Sequence, residues 1–182
     1  MKIKQLCGLA AVVLTTACQS PFCKVTGYAD CDTLLLTANG LQTDTLVTKQ
    51  GQFQWSVHID TAHLYHLWQL NDPLSSVTFF AEPGHIRIRL VDGKAHVTGT
   101  RLNNEWQKLN DIAASYGHRI DQTIKVLSQA DTPTGQISRR VACIYEELEL
   151  QIQESARRNQ GNELGRFLST NHELSKSAPW QH

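Results

Sequence analysis

His85-Ile86-Arg87-Ile88-Arg89-Leu90-Val91-Asp92-Gly93-Lys94-Ala95-His96-Val97-Thr98 reads as two strands and the turn that joins them. Apolar and polar residues alternate with period two, the mark of a strand with one buried face. Asp92-Gly93 is the dipeptide of a two-residue type I′ turn, which needs positive φ at both positions. Folding there pairs Leu90 with Ala95, Arg89 with His96 and Ile88 with Val97. Ile86, Ile88, Leu90, Ala95 and Val97 then share one face, and Arg87, Arg89, Lys94, His96 and Thr98 the other. Turn chemistry and hydrophobic pattern agree on one register, as a real hairpin requires.

The same grammar extends upstream. In Gln52–Ile59, Phe53, Trp55, Val57 and Ile59 alternate with Gln52, Gln54, Ser56 and His58. Leu46–Thr48 is expected to pair with that strand across Lys49-Gln50-Gly51. Further strands are expected at Lys24–Tyr28, Thr33–Thr37, Leu64–Leu70 and Val77–Ala81, with turns at Asn39-Gly40 and Pro83-Gly84. Seven or eight short strands predict an antiparallel β-sandwich-like domain.

After Gly99 the period changes to three and four. Leu102, Trp106, Leu109, Ala113, Tyr116, Ile120, Ile124 and Leu127 form one helical stripe, with Gly117 a candidate kink. Thr132-Pro133 reads as an N-cap and first-turn proline. Ile137, Val141, Ile144, Leu148, Ile152 and Ala156 form a second stripe, which Arg157, Arg158 and Gly161 would close. The expected fold class is therefore α+β. Residues 18–100 form the β domain, 101–168 a helical hairpin and 169–182 a disordered tail.

The N-terminus carries an address. Lys2 and Lys4 precede the apolar run Leu6–Leu14, and Thr15-Thr16-Ala17-Cys18 follows. This is a secretory signal layout over residues 1–17, ending at a lipobox-like site. The apolar run is shorter than the roughly 20 residues a membrane-spanning helix needs. The expectation is a chain acylated on Cys18 and tied to a membrane by that lipid, with secretion after Ala17 or a short retained anchor as alternatives. Gln19-Ser20-Pro21 lacks an acidic run, which favours a periplasm-facing orientation in the cell envelope. Seventeen basic and seventeen acidic residues give zero formal net charge, which argues against a nucleic-acid partner.

Candidate sites are few. Arg87, Arg89, Lys94 and His96 make a basic patch that could hold an anion, set against the plainer reading of a solvated hairpin face. Eight histidines invite a metal, but His63 and His66 fall on opposite strand faces, and no His/Cys/Asp/Glu set has ligand spacing. No metal and no cofactor is expected. Trp55, Trp68, Trp106, Phe79 and Phe80 read as core packing before they read as a ligand groove. Cys143, beside Val141 and Ile144, is expected to be partly buried and inert. Cys23 and Cys31 leave a disulfide open, since spacing alone does not set the Cα separation. No nucleophile motif, phosphate loop or carboxylate pair is present, so no catalytic residue is assigned.

Three segments carry a family resemblance: Asp44-Thr45-Leu46-Val47 with Gln50-Gly51-Gln52-Phe53-Gln54-Trp55; Phe79-Phe80-Ala81-Glu82-Pro83-Gly84-His85-Ile86-Arg87-Ile88; and Val97-Thr98-Gly99-Thr100-Arg101-Leu102-Asn103-Asn104-Glu105-Trp106. Behind a lipobox they resemble domain of unknown function 4369 (DUF4369), the N-terminal module of Bacteroidetes lipoproteins related to thiol:disulfide interchange proteins. The likeness covers roughly Phe22 to Trp106. It implies envelope anchoring and the β module. In longer relatives a thioredoxin-like domain with a Cys-x-x-Cys pair follows. Here Gly161-Asn162-Glu163-Leu164-Gly165-Arg166-Phe167 resembles the junction before that domain, but the chain ends at His182 and holds no Cys-x-x-Cys. The reading is thus a non-catalytic envelope binding or adaptor module, with a candidate protein partner in a thiol-disulfide oxidoreductase system. A truncated redox relic and an enzyme of unrecognised class are the alternatives.

Overall fold

The computed structural model describes residues 21–38 and 41–176. The signal, Cys18, the Asn39-Gly40 turn and residues 177–182 lie outside that range. Eight strands come first: β1 (Phe22–Ala29), β2 (Thr33–Ala38), β3 (Leu41–Val47), β4 (Gln52–His58), β5 (His63–Gln69), β6 (Asp72–Ala81), β7 (Gly84–Val91) and β8 (Lys94–Thr98). Three helices follow: α1 (Arg101–Gln129), α2 (Thr134–Arg158) and α3 (Glu163–Lys176). The fold is α+β, as the sequence predicts.

The strands form two four-stranded sheets, ordered β4-β1-β7-β8 and β3-β2-β5-β6. Their inner faces share one core, in which Val25, Phe53, Ile86, Ile88 and Leu90 of the first sheet meet Leu34, Leu36, Leu67, Val77 and Phe79 of the second. The β7–β8 hairpin has the expected register, with Ile88 opposite Val97, Arg89 opposite His96 and Leu90 opposite Ala95. Asp92 and Gly93 have φ of 50° and 68°, the left-handed values a type I′ turn demands. Ala95 lies on the apolar face opposite the buried Leu90 but is exposed, because β8 is the edge of its sheet.

Two pairings differ from expectation. β3 does not pair with β4: β3 joins β2, and β4 joins β1. The Lys49–Gln52 turn does close, with Lys49 and Gln52 exchanging N–H···O bonds of 2.8 and 3.0 Å. Beyond that single rung, Leu46 and Phe53 both enter the shared core from opposite layers, so the turn arches between sheets. The sheets are also not purely antiparallel, since β1 and β7 run parallel. A parallel neighbour needs a long crossover, here the whole second sheet, and no local signal announces it.

The helical region departs from a two-helix hairpin. α3 occupies the expected junction and enters the expected tail, running through Lys176. Leu164 and Leu168 are buried against Phe80, Leu102 and Leu109, and Phe167 packs beside them. That apolar spacing of three and four is the reason the segment is helical. α1 is continuous through Gly117. Pro133 is the N-cap of α2 rather than its first residue, one position from the expected start. Among the described residues no helix is long and apolar enough to cross a membrane.

The first two turns of α1 lock the sandwich. Gly99, at φ 112°, turns the chain sharply out of β8, and its N–H is accepted by Asn104 Oδ1 at 2.9 Å. The fully buried Asn103 amide then behaves like a strand. Its Oδ1 accepts the Phe80 N–H at 2.9 Å, and its Nδ2 donates to the Phe80 carbonyl at 2.7 Å and to Thr100 Oγ1 at 2.7 Å. Trp106 Nε1 donates to the Thr78 carbonyl at 2.9 Å. Gln107 Oε1 accepts the Val97 N–H at 2.7 Å. β6 and β8 are the edge strands on this side, so three side chains of one helix bond backbone groups of Thr78, Phe80 and Val97 on both edges. Glu82 completes the junction by accepting the Leu102 N–H at 2.7 Å, which satisfies an orphan donor of the helix start.

At the other end, the Asp30 carboxylate accepts from the Asp92 N–H at 2.8 Å and from Gln69 Nε2 at 2.6 Å, tying the hairpin turn to the second sheet. The Asp92 N–H, joined by Gln69, holds the Asp30 carboxyl below the usual range. Its contribution to stability is present above the ordinary carboxyl range and is lost as pH falls through the lowered value.

Asn103→Ala leaves the buried Phe80 N–H and C=O unpaired. Each such group costs about 1–3 kcal/mol, so the expected loss in urea denaturation is about 2–5 kcal/mol. Asn104→Ala, at an exposed position, should lose about 1 kcal/mol or less.

Candidate functional site

The outer face of the first sheet assembles residues from four strands. The registers place Gln52, Tyr28, Arg89 and His96 in one row across β4, β1, β7 and β8. Gln54, Thr26, Arg87 and Thr98 make the next row, and Ser56, Lys24 and His85 a third. Period-two alternation puts them all outward, because their neighbours Val25, Phe53, Ile86 and Ile88 fill the core.

A shallow groove of about 730 Å³ runs over this face, lined by Thr26, Tyr28, Gln52, Gln54, Arg87 and Lys49. The Arg89 guanidinium carbon lies 5.9 Å from the centre of the Tyr28 ring, a cation–π contact that holds it beside the groove. Thr26 Oγ1 and His85 Nε2 are 2.7 Å apart. Among the described residues no carboxylate comes within ion-pairing distance of Arg87, Arg89, Lys94 or His96.

The four expected basic residues therefore share a face but not one role. Arg87 lines the groove and Arg89 leans over Tyr28, whereas Lys94 and His96 sit on edge strand β8. The sequence reading missed Tyr28, Thr26, Gln52, Gln54 and Lys49 as groove residues. Each lies on or beside a strand that was legible, but only the β1–β4 and β1–β7 pairings bring them to the arginines.

Trp55, Trp106, Phe79 and Phe80 are packing groups, as expected, whereas Trp68 joins neither core cluster. Trp55 meets Tyr65 at 5.2 Å, and Tyr65 stacks on Phe79 at 5.8 Å. Phe80, Trp106 and Phe167 form an edge-to-face trio with centroids 5.5–6.2 Å apart. His66 is half-buried beside Thr78 Oγ1, 2.9 Å from its Nδ1, and burial lowers its pKa, which favours the neutral ring. Among the described residues no three His, Cys, Asp or Glu side chains could hold a metal ion together.

Cys23, Cys31 and Cys143 are all free thiols. Cys23 is fully buried, and desolvation raises its pKa to about 11. Cys31 is half-buried, with its pKa also raised by burial. Cys143 is exposed, contrary to the expected partial burial. On α2, Ile144 is buried and Val141 and Leu148 are half-buried, and residue 143 falls outside that stripe.

Residues 23–106 match the family model described as Domain of unknown function (DUF4369). The match spans the β half and the first two turns of α1, in line with the resemblance carried by its sequence motifs. No curated protein and no solved structure matches the chain.

Thiol reactivity offers a direct check of these environments. Peptide mapping after brief maleimide labelling of the native chain should find Cys143 modified first, Cys31 slowly and Cys23 only on unfolding. Rapid native labelling of Cys23 would contradict its burial.

Proposed function

We propose that this chain is a lipid-anchored, periplasm-facing module of the cell envelope that binds an anionic partner without catalysis. The observation that carries this reading is the groove on the first sheet, where Arg87 and Arg89 stand without carboxylate partners beside Tyr28, Gln52 and Gln54. A planar guanidinium presents paired donors to a carboxylate or phosphate. Tyr28 and the two amides add a stacking face and neutral hydrogen-bonding groups. The groove is open, which suits a binding surface better than a water-excluding reaction centre.

The anchor reading rests on the N-terminal pattern that ends at Cys18. β1 begins at Phe22, so acylation of Cys18 would leave only Gln19–Pro21 as a tether. Three intervening residues span at most about 14 Å between flanking Cα atoms, which would hold the β domain against the membrane surface. A place beside a thiol-disulfide oxidoreductase system follows from the relatives that the DUF4369 motifs resemble. Cys23 is buried, Cys143 is exposed, and neither belongs to a Cys-x-x-Cys pair, which supports an adaptor rather than an exchanger, because exchange needs an accessible thiolate with a resolving thiol beside it.

Cys18→Ala should abolish incorporation of labelled fatty acid and shift the protein out of the membrane fraction or leave it unprocessed. Equal lipid labelling of both forms would overturn the anchor. For the groove, the probes are an acidic peptide, a uronic-acid oligosaccharide and inorganic phosphate, titrated at low and high salt. At least one should bind with salt-sensitive affinity, about tenfold or more weaker in Arg87→Ala/Arg89→Ala. Identical affinities in the wild-type and double-substituted chains would remove the groove from the account.

A further inference from the structure

The two sides of the sandwich are finished differently. On one side, edge strands β6 and β8 are covered by the amides and indole of α1. On the other side the edges are β3 and β4.

β3 defends itself. Its ladder to β2 is broken by a register shift opposite Leu36/Thr37. Asp44, on the strand face of the buried Leu46, puts a charge at that edge, and its Oδ1 accepts the Thr45 N–H at 2.9 Å. Bulges and inward charges are the usual devices that stop edge-to-edge pairing.

β4 has neither. Its phase is fixed at both ends, where Ile59 N–H donates to the Pro21 carbonyl at 2.8 Å and Ala29 N–H to the Gly51 carbonyl at 2.8 Å. Phe53, Trp55 and Val57 therefore bond to β1, and Gln52, Gln54, Ser56 and His58 direct their N–H and C=O groups away from the sheet. Lys49 takes both outward groups of Gln52. Among the described residues no hydrogen bond reaches those of Gln54, Ser56 and His58. The strand Gln52–His58 contains no proline, no lysine, no carboxylate and no bulge.

We propose that β4 is a self-association edge, on which the β4 strand of a second copy adds antiparallel about a two-fold axis through Ser56. This register is selected by the outward groups themselves. Gln54 of one copy faces His58 of the other, and Ser56 faces Ser56, so the three outward residues of each strand exchange six backbone hydrogen bonds. On the inner face Trp55 meets Val57 of the other copy. No pair juxtaposes like charges at neutral pH, and the smallest outward side chain sits on the axis. Of the flanking carboxylates, Asp44 is held by the Trp55 indole at 3.1 Å and Asp60 lies beyond the strand end. Phe22, 52% exposed and edge-on to His58 at 5.3 Å, supplies apolar surface at each end of the seam. The result is one continuous eight-stranded sheet with the Arg87 grooves of both copies on its outer face. A two-fold axis makes such a contact closed, so it stops at a dimer. This inference does not depend on the identity of the groove's ligand or on the lipid.

The test is sedimentation of the full chain in a neutral detergent, compared with Ser56→Lys. That substitution lies on an exposed position and sets two ammonium groups against each other on the axis. The unsubstituted chain should sediment as a concentration-dependent dimer, with association weakened about tenfold or more by Ser56→Lys, while the two chains melt alike at concentrations low enough that both are monomers. A second variant, Ser56→Cys with Cys143→Ser, should be joined into a covalent dimer by a short bismaleimide. Gln151→Cys with Cys143→Ser, on the exposed face of α2, should not. A monomer at every attainable concentration overturns the proposal. So does a position 56 thiol that is readily capped by a monofunctional maleimide but never cross-links to itself, or that cross-links only to a different protein.

Discussion

The Asn103 amide is bonded to Phe80 as a neighbouring strand would be, and the rest of the molecule is arranged around that substitution of side chain for backbone. A two-sheet sandwich has four edges, and each presents a row of unpaired polar groups. Closing two of them with one helix requires that the helix begin where β8 ends and cross to β6. Gly99 makes that turn, and Asn103, Trp106 and Gln107 lie on successive positions of the same helical face. The remaining stripe of α1 then runs out along α2, which brings Leu164 and Leu168 of α3 back against Phe80. A buried polar group is costly unless every bond is made, and here it specifies where the helix docks.

This constraint also sets the working unit. The family match ends at Trp106, inside α1, and not at the strand–helix boundary. The first two turns of the helix belong energetically to the β domain, because without them Phe80 and Val97 have no partner on the edge side. With one flank of the sandwich sealed, the outer face of the first sheet and the β4 edge beside it stay open. Both are built from the alternate residues of β1, β4 and β7, whose other halves make the core. Binding surface and core are therefore coupled through register: a one-residue slip would exchange Arg87 for Ile88 and abolish both.

What the sequence disclosed follows from the range of its signals. The β7–β8 hairpin was readable to the residue, because Asp92-Gly93 and the alternation around it are local and agree. β1, β2, β4 and β5 were readable as strands, but not their neighbours. The Lys49–Gln52 turn looks like a hairpin turn and is one for a single rung. Leu46 and Phe53 are both apolar, and nothing local says that they belong to different layers. The parallel β1–β7 pairing is set by a crossover longer than fifty residues, so the groove that joins Tyr28 to Arg87 could not be seen. Asn103 and Gln107 look like ordinary helix polar residues. Their one hint was position, on the helical face of Trp106 in the turns that follow a glycine-marked strand end. Leu164 and Phe167 read as part of a junction because α3 is short and its burial depends on tertiary packing.

Amide hydrogen exchange at Phe80 and Val97 tests the central constraint most directly. Both N–H groups lie on edge strands and point away from their own sheets, so only side-chain bonds from α1 can slow their exchange. The account predicts slow exchange at both amides, with Phe80 accelerated by Asn103→Ala and Val97 by Gln107→Ala under conditions where the rest of the core stays protected. Fast exchange at Phe80 and Val97 in the unsubstituted chain would show that α1 does not close the sandwich.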